Sequence, residues 1–163
     1  MTKIRAVVIT VSDACSRGER EDTSGEALVQ LLNELGAQIV DKKILSDDLD
    51  PLVQSLTEYA QRDDVNLIIT TGGTGLGPRD NTPEATQQVI EREAPGIAEA
   101  IRLESLKATP MAMLSRAVCG VRSGTLIINV PGSPKAVRES FAVVAPIIPH
   151  AINLLAGRTK HDE

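Results

Sequence analysis

Aromatic side chains are nearly absent from this sequence, which contains one tyrosine, one phenylalanine and no tryptophan. Its interior must therefore be filled by valine, isoleucine, leucine and alanine. Proteins that bind single-stranded nucleic acids usually stack the bases on aromatic rings, so the shortage argues against that class. A formal net charge of −5 argues against nucleic-acid and anionic-membrane partners as well, because both are polyanions.

Cysteine and long apolar runs are also scarce. Cys15 and Cys119 form neither a CxxC pair nor a metal-ligand spacing, and we expect two buried or idle thiols in a reducing compartment. No window is apolar over the length of a membrane span. The apolar run that begins at Ile4 is too short for a signal peptide. These absences predict a cytoplasmic protein, and 163 residues predict a single domain, 1–163.

Several common catalytic motifs are missing. The glycine-rich stretch that begins at Gly72 does not match the GxGxxG fingerprint of dinucleotide-binding folds, and no Lys-Ser/Thr pair of a P-loop follows it. There is no HExxH motif. With two histidines, His150 and His161, a serine-type triad has no obvious base. The chemistry must then rest on carboxylates, arginines, hydroxyls and backbone amides.

What the sequence does contain is a glycine-rich loop between a predicted strand and a predicted helix. The run 67–71 is apolar, four glycines follow between Gly72 and Gly77, and Thr82-Pro83 predicts the cap and first residue of a helix. Glycine lets backbone N–H groups approach a ligand closely, and a helix N-terminus attracts anions. We expect a phosphate-bearing ligand here, because a plain strand-to-helix turn needs fewer glycines and charges.

Apolar periodicity predicts strands that alternate with helices. Strands are predicted at 4–11, 37–45, 66–71, 117–122 and 125–130, with helices that begin near 23, 50, 82, 97 and 134. We expect Thr23 to cap the first helix, the helix at Thr82 to run to about Glu93, and Pro146 and Pro149 to break the last helical region. Segment 14–22 is polar and charged, which predicts a mobile loop. This order predicts an α/β fold whose mostly parallel sheet is covered on both faces and carries an antiparallel hairpin strand.

Polar segments follow four of the predicted strands. They are Ser12-Asp13, Asp47-Asp48, 72–80 and 131–134. Ligands of parallel sheets bind at the carboxyl ends of the strands, so we expect one shared active site. Asp80 is the best candidate for a Mg²⁺ ligand, because Mg²⁺ prefers carboxylates together with substrate phosphates; helix capping is its alternative role. Asp47 or Asp48 is the second candidate, although Asp48 alone fits a solvated turn.

Five motifs appear in order along the chain. They are VSD at 11–13, DxSG at 22–25, TGGTG with PRDxTPEA between 71 and 85, LSR at 114–116 and NVPGSP at 129–134. Together they resemble the MogA/MoaB family, which includes the gephyrin G domain. The resemblance covers nearly the whole chain and implies a three-layer αβα sandwich, a homotrimer or hexamer, and binding of molybdopterin. Active members adenylylate molybdopterin with Mg-ATP, which implies a nucleotidyltransferase of molybdenum cofactor biosynthesis.

The matching motifs imply roles for individual residues. The two functional aspartates of the family fall on Asp80 and Asp47, which we expect to act in catalysis and to hold Mg²⁺; Asp47-Asp48 offers two alignments. The resemblance implies pterin or phosphate binding at Gly72, Gly73, Thr74, Gly75, Ser115, Gly132 and Ser133. The strand ends and the loop charges add Ser12, Asp13, Arg79 and Pro131 as candidates.

Two other functions are compatible with the resemblance. Some members bind molybdopterin or act as scaffolds without demonstrated activity, and the presence of Asp47 and Asp80 favours an enzyme over that role. A related domain occurs in proteins that hydrolyse nucleotide pyrophosphates, but the sequence shows no additional domain. The expected partners are molybdopterin, ATP, further copies of the chain and the molybdenum-insertion protein.

Overall fold

The structure, a computed structural model, describes residues 1–158 and contains one sheet between layers of helices. The strands are β1 (Arg5–Val11), β2 (Gln38–Leu45), β3 (Leu67–Thr71), β4 (Arg92–Glu93), β5 (Cys119–Arg122) and β6 (Thr125–Val130). The helices are α1 (Asp13–Ser16), α2 (Thr23–Glu34), α3 (Leu49–Ala60), α4 (Thr82–Val89), α5 (Pro95–Leu106), α6 (Pro134–Val144) and α7 (Ile148–Leu155), with a 3-10 helix at Pro110–Leu114. His161, considered above as a base, lies outside the described residues.

The strand order is β2-β1-β3-β6-β5-β4. β2, β1, β3 and β6 are parallel to their neighbours in this series, whereas β5 is antiparallel to both β6 and β4. Ser123 and Gly124 join β5 to β6 with φ values of 50° and 78°, as a tight hairpin turn requires. The predicted α/β fold, with a mostly parallel sheet and an antiparallel hairpin strand, is confirmed.

An aliphatic core lies on each face of the sheet, which gives the three predicted layers. Successive residues of a strand point to opposite faces. Ala6 and Val8 of β1 therefore pack with α2, α5, α6 and α7, while Val7 and Ile9 pack with α3 and α4. β3 and β6 are buried along their whole length, which explains why their sequences are mainly apolar and do not alternate with polar residues. Both cysteines are buried free thiols, as predicted.

Local hydrogen bonds shift several predicted element boundaries. The segment predicted as a loop begins with one helical turn, α1, because Ser12 Oγ accepts the backbone N–H of Cys15 at 3.2 Å. Asp22, and not Thr23, caps α2, since its carboxylate accepts the Gly25 N–H at 2.9 Å. α3 begins at Leu49 and α5 at Pro95, one and two residues earlier than predicted.

Helix α4 ends at Val89, well before the predicted end near Glu93. The Glu91 N–H donates to the Val121 carbonyl at 2.9 Å and the Ala94 N–H to the Cys119 carbonyl at 2.8 Å. Pairing with β5 thus replaces helical hydrogen bonds and creates β4. At the end of the chain, the predicted break falls at 145–147, but Pro149 lies in the first turn of α7, where proline's missing N–H costs nothing.

The carboxyl ends of β1, β2, β3 and β6 meet at one edge of the sheet, as predicted. Beyond β1, the Ser12 N–H donates to the Leu45 carbonyl at the end of β2, at 2.9 Å. Beyond β3, the Gly72 N–H donates to the Val130 carbonyl at the end of β6, at 3.2 Å. The loops that follow these strands are therefore held side by side. Within residues 1–158, no helix is long and apolar enough to cross a membrane.

Candidate functional site

A cavity of about 580 Å³ opens at the carboxyl edge of the sheet. Hydroxyl, carboxylate, guanidinium and backbone groups contribute to its wall, which combines the ends of β1 and β3 with the starts of α2 and α6. The lining residues are Thr10, Val11, Ser12, Cys15, Arg20, Glu21, Asp22, Thr23, Ser24, Asp47, Thr71, Gly72, Gly73, Asp80, Gly132, Ser133 and Pro134.

The structure brings about half of the predicted site residues into this cavity. Those that line it are Ser12, Asp47, Gly72, Gly73, Asp80, Gly132 and Ser133. Asp13, Thr74, Gly75, Arg79, Ser115 and Pro131 are not part of the lining. The Pro131 carbonyl accepts the Thr71 hydroxyl at 2.7 Å, and the Ser115 hydroxyl accepts the Ala117 N–H at 3.4 Å, so both serve as internal supports.

The glycine loop is shaped around the Asp80 carboxylate. Asp80 Oδ2 accepts the Gly77 N–H at 2.9 Å. A Cβ added to Gly75 would lie 2.8 Å from the same oxygen, so a side chain at this position would displace the carboxylate. Gly72 has a φ of +96°, and a Cβ there would lie 2.3 Å from the Val11 carbonyl oxygen. Glycine is thus needed at position 72, where the backbone contacts β1 closely, and at position 75, where the Asp80 carboxylate occupies the space of a side chain.

Arg116 holds the glycine loop from outside the cavity. Its Nε donates to the Gly75 carbonyl at 2.7 Å and its Nη2 to the Asp80 carbonyl at 2.8 Å, while its backbone N–H donates to the Thr74 carbonyl at 2.8 Å. The guanidinium also pairs with Glu84 in the first turn of α4. The fork of donors on arginine suits this multiple contact. The LSR motif carried this signal, but sequence reasoning assigned the site role to the neighbouring serine.

Asp13 and Asp47 join the loops after β1 and β2 reciprocally. Asp47 Oδ2 accepts the Asp13 N–H at 2.8 Å, and Asp13 Oδ1 accepts the Asp47 N–H at 3.0 Å. Arg79 donates to both oxygens of Asp13, at 2.7 and 3.0 Å, and to Asp48 at 2.9 Å. This pairing lowers the pKa of Asp13 to about 2. Arg79 therefore ties three loops together.

Asp47 and Asp80 both line the cavity, and their carboxylates interact electrostatically. Burial raises the pKa of Asp47, and the negative charges of Asp13 and Asp80 add to that rise. Among the described residues, neither Oδ1 of Asp47 nor Oδ1 of Asp80 accepts a hydrogen bond. A nearby cation would relieve the repulsion and use these free oxygens.

The donor set around this pair fits Mg²⁺ in one particular manner. Within residues 1–158, no cluster of three or more histidine, cysteine, aspartate or glutamate side chains could hold a metal ion alone. Mg²⁺ often takes one or two protein carboxylates and completes its shell with substrate phosphates and water. Asp47 and Asp80 can supply the protein share of such a site. The arrangement is therefore suited to chemistry on a phosphorylated substrate.

A comparison with known proteins assigns the family. A model described as "Probable molybdopterin binding domain" matches residues 7–150. The chain belongs to the MogA/MoaB family. The resemblance stated from the sequence motifs is thereby confirmed.

Individual members of the MogA/MoaB family are similar over most of this chain. A Helicobacter pylori (strain J99) protein named molybdopterin adenylyltransferase is 41% identical over 159 residues, which cover 96% of this chain and 90% of that protein. Molybdenum cofactor synthesis protein cinnamon of Drosophila melanogaster is 45% identical over 156 residues, 95% of this chain, which spans only 26% of that longer protein. The solved structure of the molybdopterin biosynthesis enzyme MoaB of Thermus thermophilus superposes with a TM-score of 0.89 at 47% identity, covering 94% of this chain and 97% of that one.

In this MogA/MoaB-family chain, the N-terminal end of α2 and the residue before it contribute more to the cavity than the sequence predicts. Asp22 Oδ2 accepts the Thr10 hydroxyl at 2.8 Å and lies 3.2 Å from Lys42 Nζ. Ser24 Oγ donates to the Gly132 carbonyl at 2.5 Å. A Cβ on Gly25 would lie 2.2 Å from Asp22 Oδ2, so glycine is required there. The DxSG motif carried this signal, but the strand-end argument did not extend past the helical turn that separates the motif from β1.

Proposed function

We propose that the chain is a molybdopterin adenylyltransferase of molybdenum cofactor biosynthesis. It would transfer the adenylyl group of ATP to the terminal phosphate of molybdopterin, giving adenylyl-molybdopterin and pyrophosphate. The observation that carries the proposal is the Asp47–Asp80 pair, set in a cavity beside a glycine loop, in a chain similar to a named molybdopterin adenylyltransferase. We also propose a single domain over 1–163, in line with the family match at 7–150.

The proposed reaction needs no histidine base. The phosphate of molybdopterin is already anionic at neutral pH, so one of its oxygens can attack the α-phosphorus of ATP directly while the bond to pyrophosphate breaks. The difficulty is the approach of two anions, and catalysis is mainly positioning and neutralisation of charge. Asp80 and Asp47 would hold Mg²⁺, which supplies that neutralisation when it is bound.

The remaining site residues have supporting roles in this proposal. The backbone N–H of Gly73 and the hydroxyls of Ser12 and Ser133 line the cavity and can donate to phosphate oxygens. Gly72 borders the same wall, but its N–H is used by the Val130 carbonyl. Gly132 borders the same wall and receives the Ser24 hydroxyl. Arg79 is engaged by Asp13 and Asp48, and we assign it to holding the loops instead of the substrate. Thr74, Gly75, Ser115 and Pro131 would act through the loops that they support.

Replacement of the carboxylates tests the proposal. Asp80→Asn and Asp47→Asn are each expected to slow the formation of adenylyl-molybdopterin about a hundredfold, the typical cost of losing one electrostatic contact in an active site. Asp48→Asn is the matched control, because Asp48 is the adjacent carboxylate and does not line the cavity. Product would be measured at saturating Mg-ATP. Full activity of Asp80→Asn would contradict the role assigned to this residue.

A non-catalytic role in binding molybdopterin is the second candidate, in line with the match of residues 7–150 to a model described only as a probable molybdopterin binding domain. The two candidates differ in one observation, namely whether incubation with molybdopterin and Mg-ATP yields adenylyl-molybdopterin. Binding of molybdopterin without product would favour the non-catalytic role. Hydrolysis of a dinucleotide in the absence of pterin would instead favour the nucleotide pyrophosphatase alternative.

We further propose a homotrimer or hexamer that works in the cytoplasm and passes its product to the molybdenum-insertion protein. Support for self-association comes from an apolar surface, made of exposed side chains of α5 and of the adjacent 3-10 helix. Its members are Leu103, Leu106, Met111, Met113 and Leu114. Exposed large apolar side chains that are concentrated on two neighbouring elements are typical of an interaction site. The net charge of −5 supports small-molecule and protein partners over nucleic acid.

A further inference from the structure

The cavity carries more negative than positive side chains, which is unusual for a site that accepts phosphates. Four carboxylates line it, those of Glu21, Asp22, Asp47 and Asp80. Among the described residues, Arg20 is the one lysine or arginine in the lining. An anionic ligand that enters this cavity therefore meets a single cationic side chain.

The other basic residues around the cavity are engaged by carboxylates of the protein. Lys42 pairs with Asp22 and Glu26, Arg79 with Asp13 and Asp48, and Arg116 with Glu84. Arg20 differs from all three. Its Nη2 donates to Ser12 Oγ at 3.1 Å, and no carboxylate within residues 1–158 lies at ion-pair distance from it. A guanidinium has five N–H donors, so most of those on Arg20 are unused.

Ser12 provides an independent indication of a ligand. Its side chain is buried, with 8% of the residue exposed. Its oxygen accepts two hydrogen bonds, from the Cys15 N–H at 3.2 Å and from Arg20 at 3.1 Å. A hydroxyl oxygen has two lone pairs, so both are occupied. The hydroxyl proton has no acceptor among the described residues, and an oxygen of a ligand in the cavity would satisfy it.

We propose that Arg20 and the Ser12 hydroxyl together bind a phosphate group of the substrate. The guanidinium supplies charge and several donors, and the hydroxyl supplies one more donor whose direction is fixed by its two accepted bonds. Charge-assisted hydrogen bonds of this type are the strong ones. The inference rests on the proposed function only for the identity of the ligand. The phosphate belongs either to molybdopterin or to ATP, and the experiment separates the two.

The test compares two arginines of the same segment. Arg20→Met removes the cavity cation, whereas Arg17→Met, the matched control, removes an exposed arginine that pairs with Glu19 and does not line the cavity. Dissociation constants would be measured by calorimetry for three separate ligands, namely molybdopterin, Mg-ATP and inorganic pyrophosphate. We expect Arg20→Met to weaken the binding of at least one of them about tenfold relative to Arg17→Met. Arg20→Lys should recover part of the loss, because it retains the charge without the fork.

The set of ligands whose binding is weakened shows which phosphate Arg20 binds. A loss confined to molybdopterin assigns the site to the pterin phosphate, and a loss shared by Mg-ATP and pyrophosphate assigns it to the nucleotide. Affinities of Arg20→Met within twofold of the control for all three ligands would overturn the inference. A wild-type chain that binds none of the three would overturn both the inference and the proposed function. Product formation by a wild-type chain whose Arg20→Met variant binds normally would overturn the inference alone.

Discussion

Arg79 shows how a charged residue next to a ligand loop can serve the protein's own architecture. Its guanidinium binds both oxygens of Asp13 and one of Asp48, and so connects the glycine loop to the ends of β1 and β2. Its position after four glycines predicts a ligand-binding role for Arg79. The structure places the side chain on carboxylates that sequence alone could not bring to it, because they lie 66 and 31 positions away.

The contact between Arg79 and Asp13 predicts how the Asp13 carboxyl group titrates. The pKa of Asp13 is lowered to about 2, chiefly because its ionised form accepts hydrogen bonds from Arg79. A lowered pKa means that the contribution of Asp13 to stability is complete above its ordinary value of 3.8 and is lost as the pH falls towards 2. In Arg79→Met we expect the pKa of Asp13 to rise towards its ordinary value, as measured by NMR of the carboxyl carbons.

Asp48 and Arg62 provide the controls for this titration. Asp48 also has a lowered pKa, but Ser46 is the larger cause, so its pKa should rise less than that of Asp13. Arg62→Met removes an arginine that pairs with Asp64, and it should leave Asp13 unchanged. If Asp13 titrated identically in the wild type and in Arg79→Met, the assigned role of Arg79 would be wrong.

At the scale of elements, the glycine loop between β3 and α4 is shaped by the carboxylate that it surrounds. Gly75 needs no unusual backbone angle, so its role is to leave room for Asp80 Oδ2, 2.8 Å from where a Cβ would stand. Gly75→Ala is therefore expected to displace the Asp80 carboxylate without unfolding the loop, which Arg116 continues to hold. Adenylylation should fall about tenfold or more, because small displacements of a catalytic group are costly.

Gly96→Ala is the matched control for this substitution. Gly96 lies in the first turn of α5, and a Cβ there would contact nothing within 4 Å. Alanine favours a helix over glycine, by at most about 1 kcal/mol and by less in a first turn, so this variant should melt slightly higher and retain full activity. Activity assays and thermal melts of both variants would make the comparison. Equal activities would indicate that the loop adapts and that Gly75 does not position Asp80.

Some helices and strands of the fold can be predicted from sequence and others cannot. The strands and most helices could be predicted, because burial on both faces leaves mainly apolar runs in β3 and β6, and the inner faces of the helices leave periodic apolar patterns. β4 was missed, since Arg92 and Glu93 carry no strand pattern and their pairing depends on β5, which lies beyond α5 and the 3-10 helix in the chain. Asp22 was missed as a cap for a related reason. Its further partners, Thr10 and Lys42, lie in β1 and β2, far from Asp22 in the sequence. The local spacing of Thr23 and Glu26 instead predicted a capping box with Thr23 as the cap.

At the scale of the whole molecule, the exposed apolar side chains of α5 and the 3-10 helix lead into the segment that supports the site. The chain continues from Leu114 to Ser115 and Arg116, and Arg116 holds the carbonyls of Gly75 and Asp80. A contact between copies that covered this surface would also restrain the backbone that carries Arg116. Association and the geometry of the glycine loop are therefore expected to be coupled.

The prediction is that a charge on this surface separates the copies. Leu103 and Met113 are each 67% exposed, so Leu103→Glu and Met113→Glu should leave the folded chain intact while a buried glutamate opposes association. Light scattering should give a mass near three times 17.4 kDa, or a multiple of that trimer, for the wild type and near 17.4 kDa for the double variant. Leu154→Glu on α7 is the control, because Leu154 is also exposed but lies outside the apolar surface.

A wild-type chain that is monomeric at micromolar concentration would contradict self-association through this surface. A double variant that stays assembled would place the interface elsewhere. If the coupling holds, the dissociated double variant should also lose adenylylation activity, whereas Leu154→Glu should retain it.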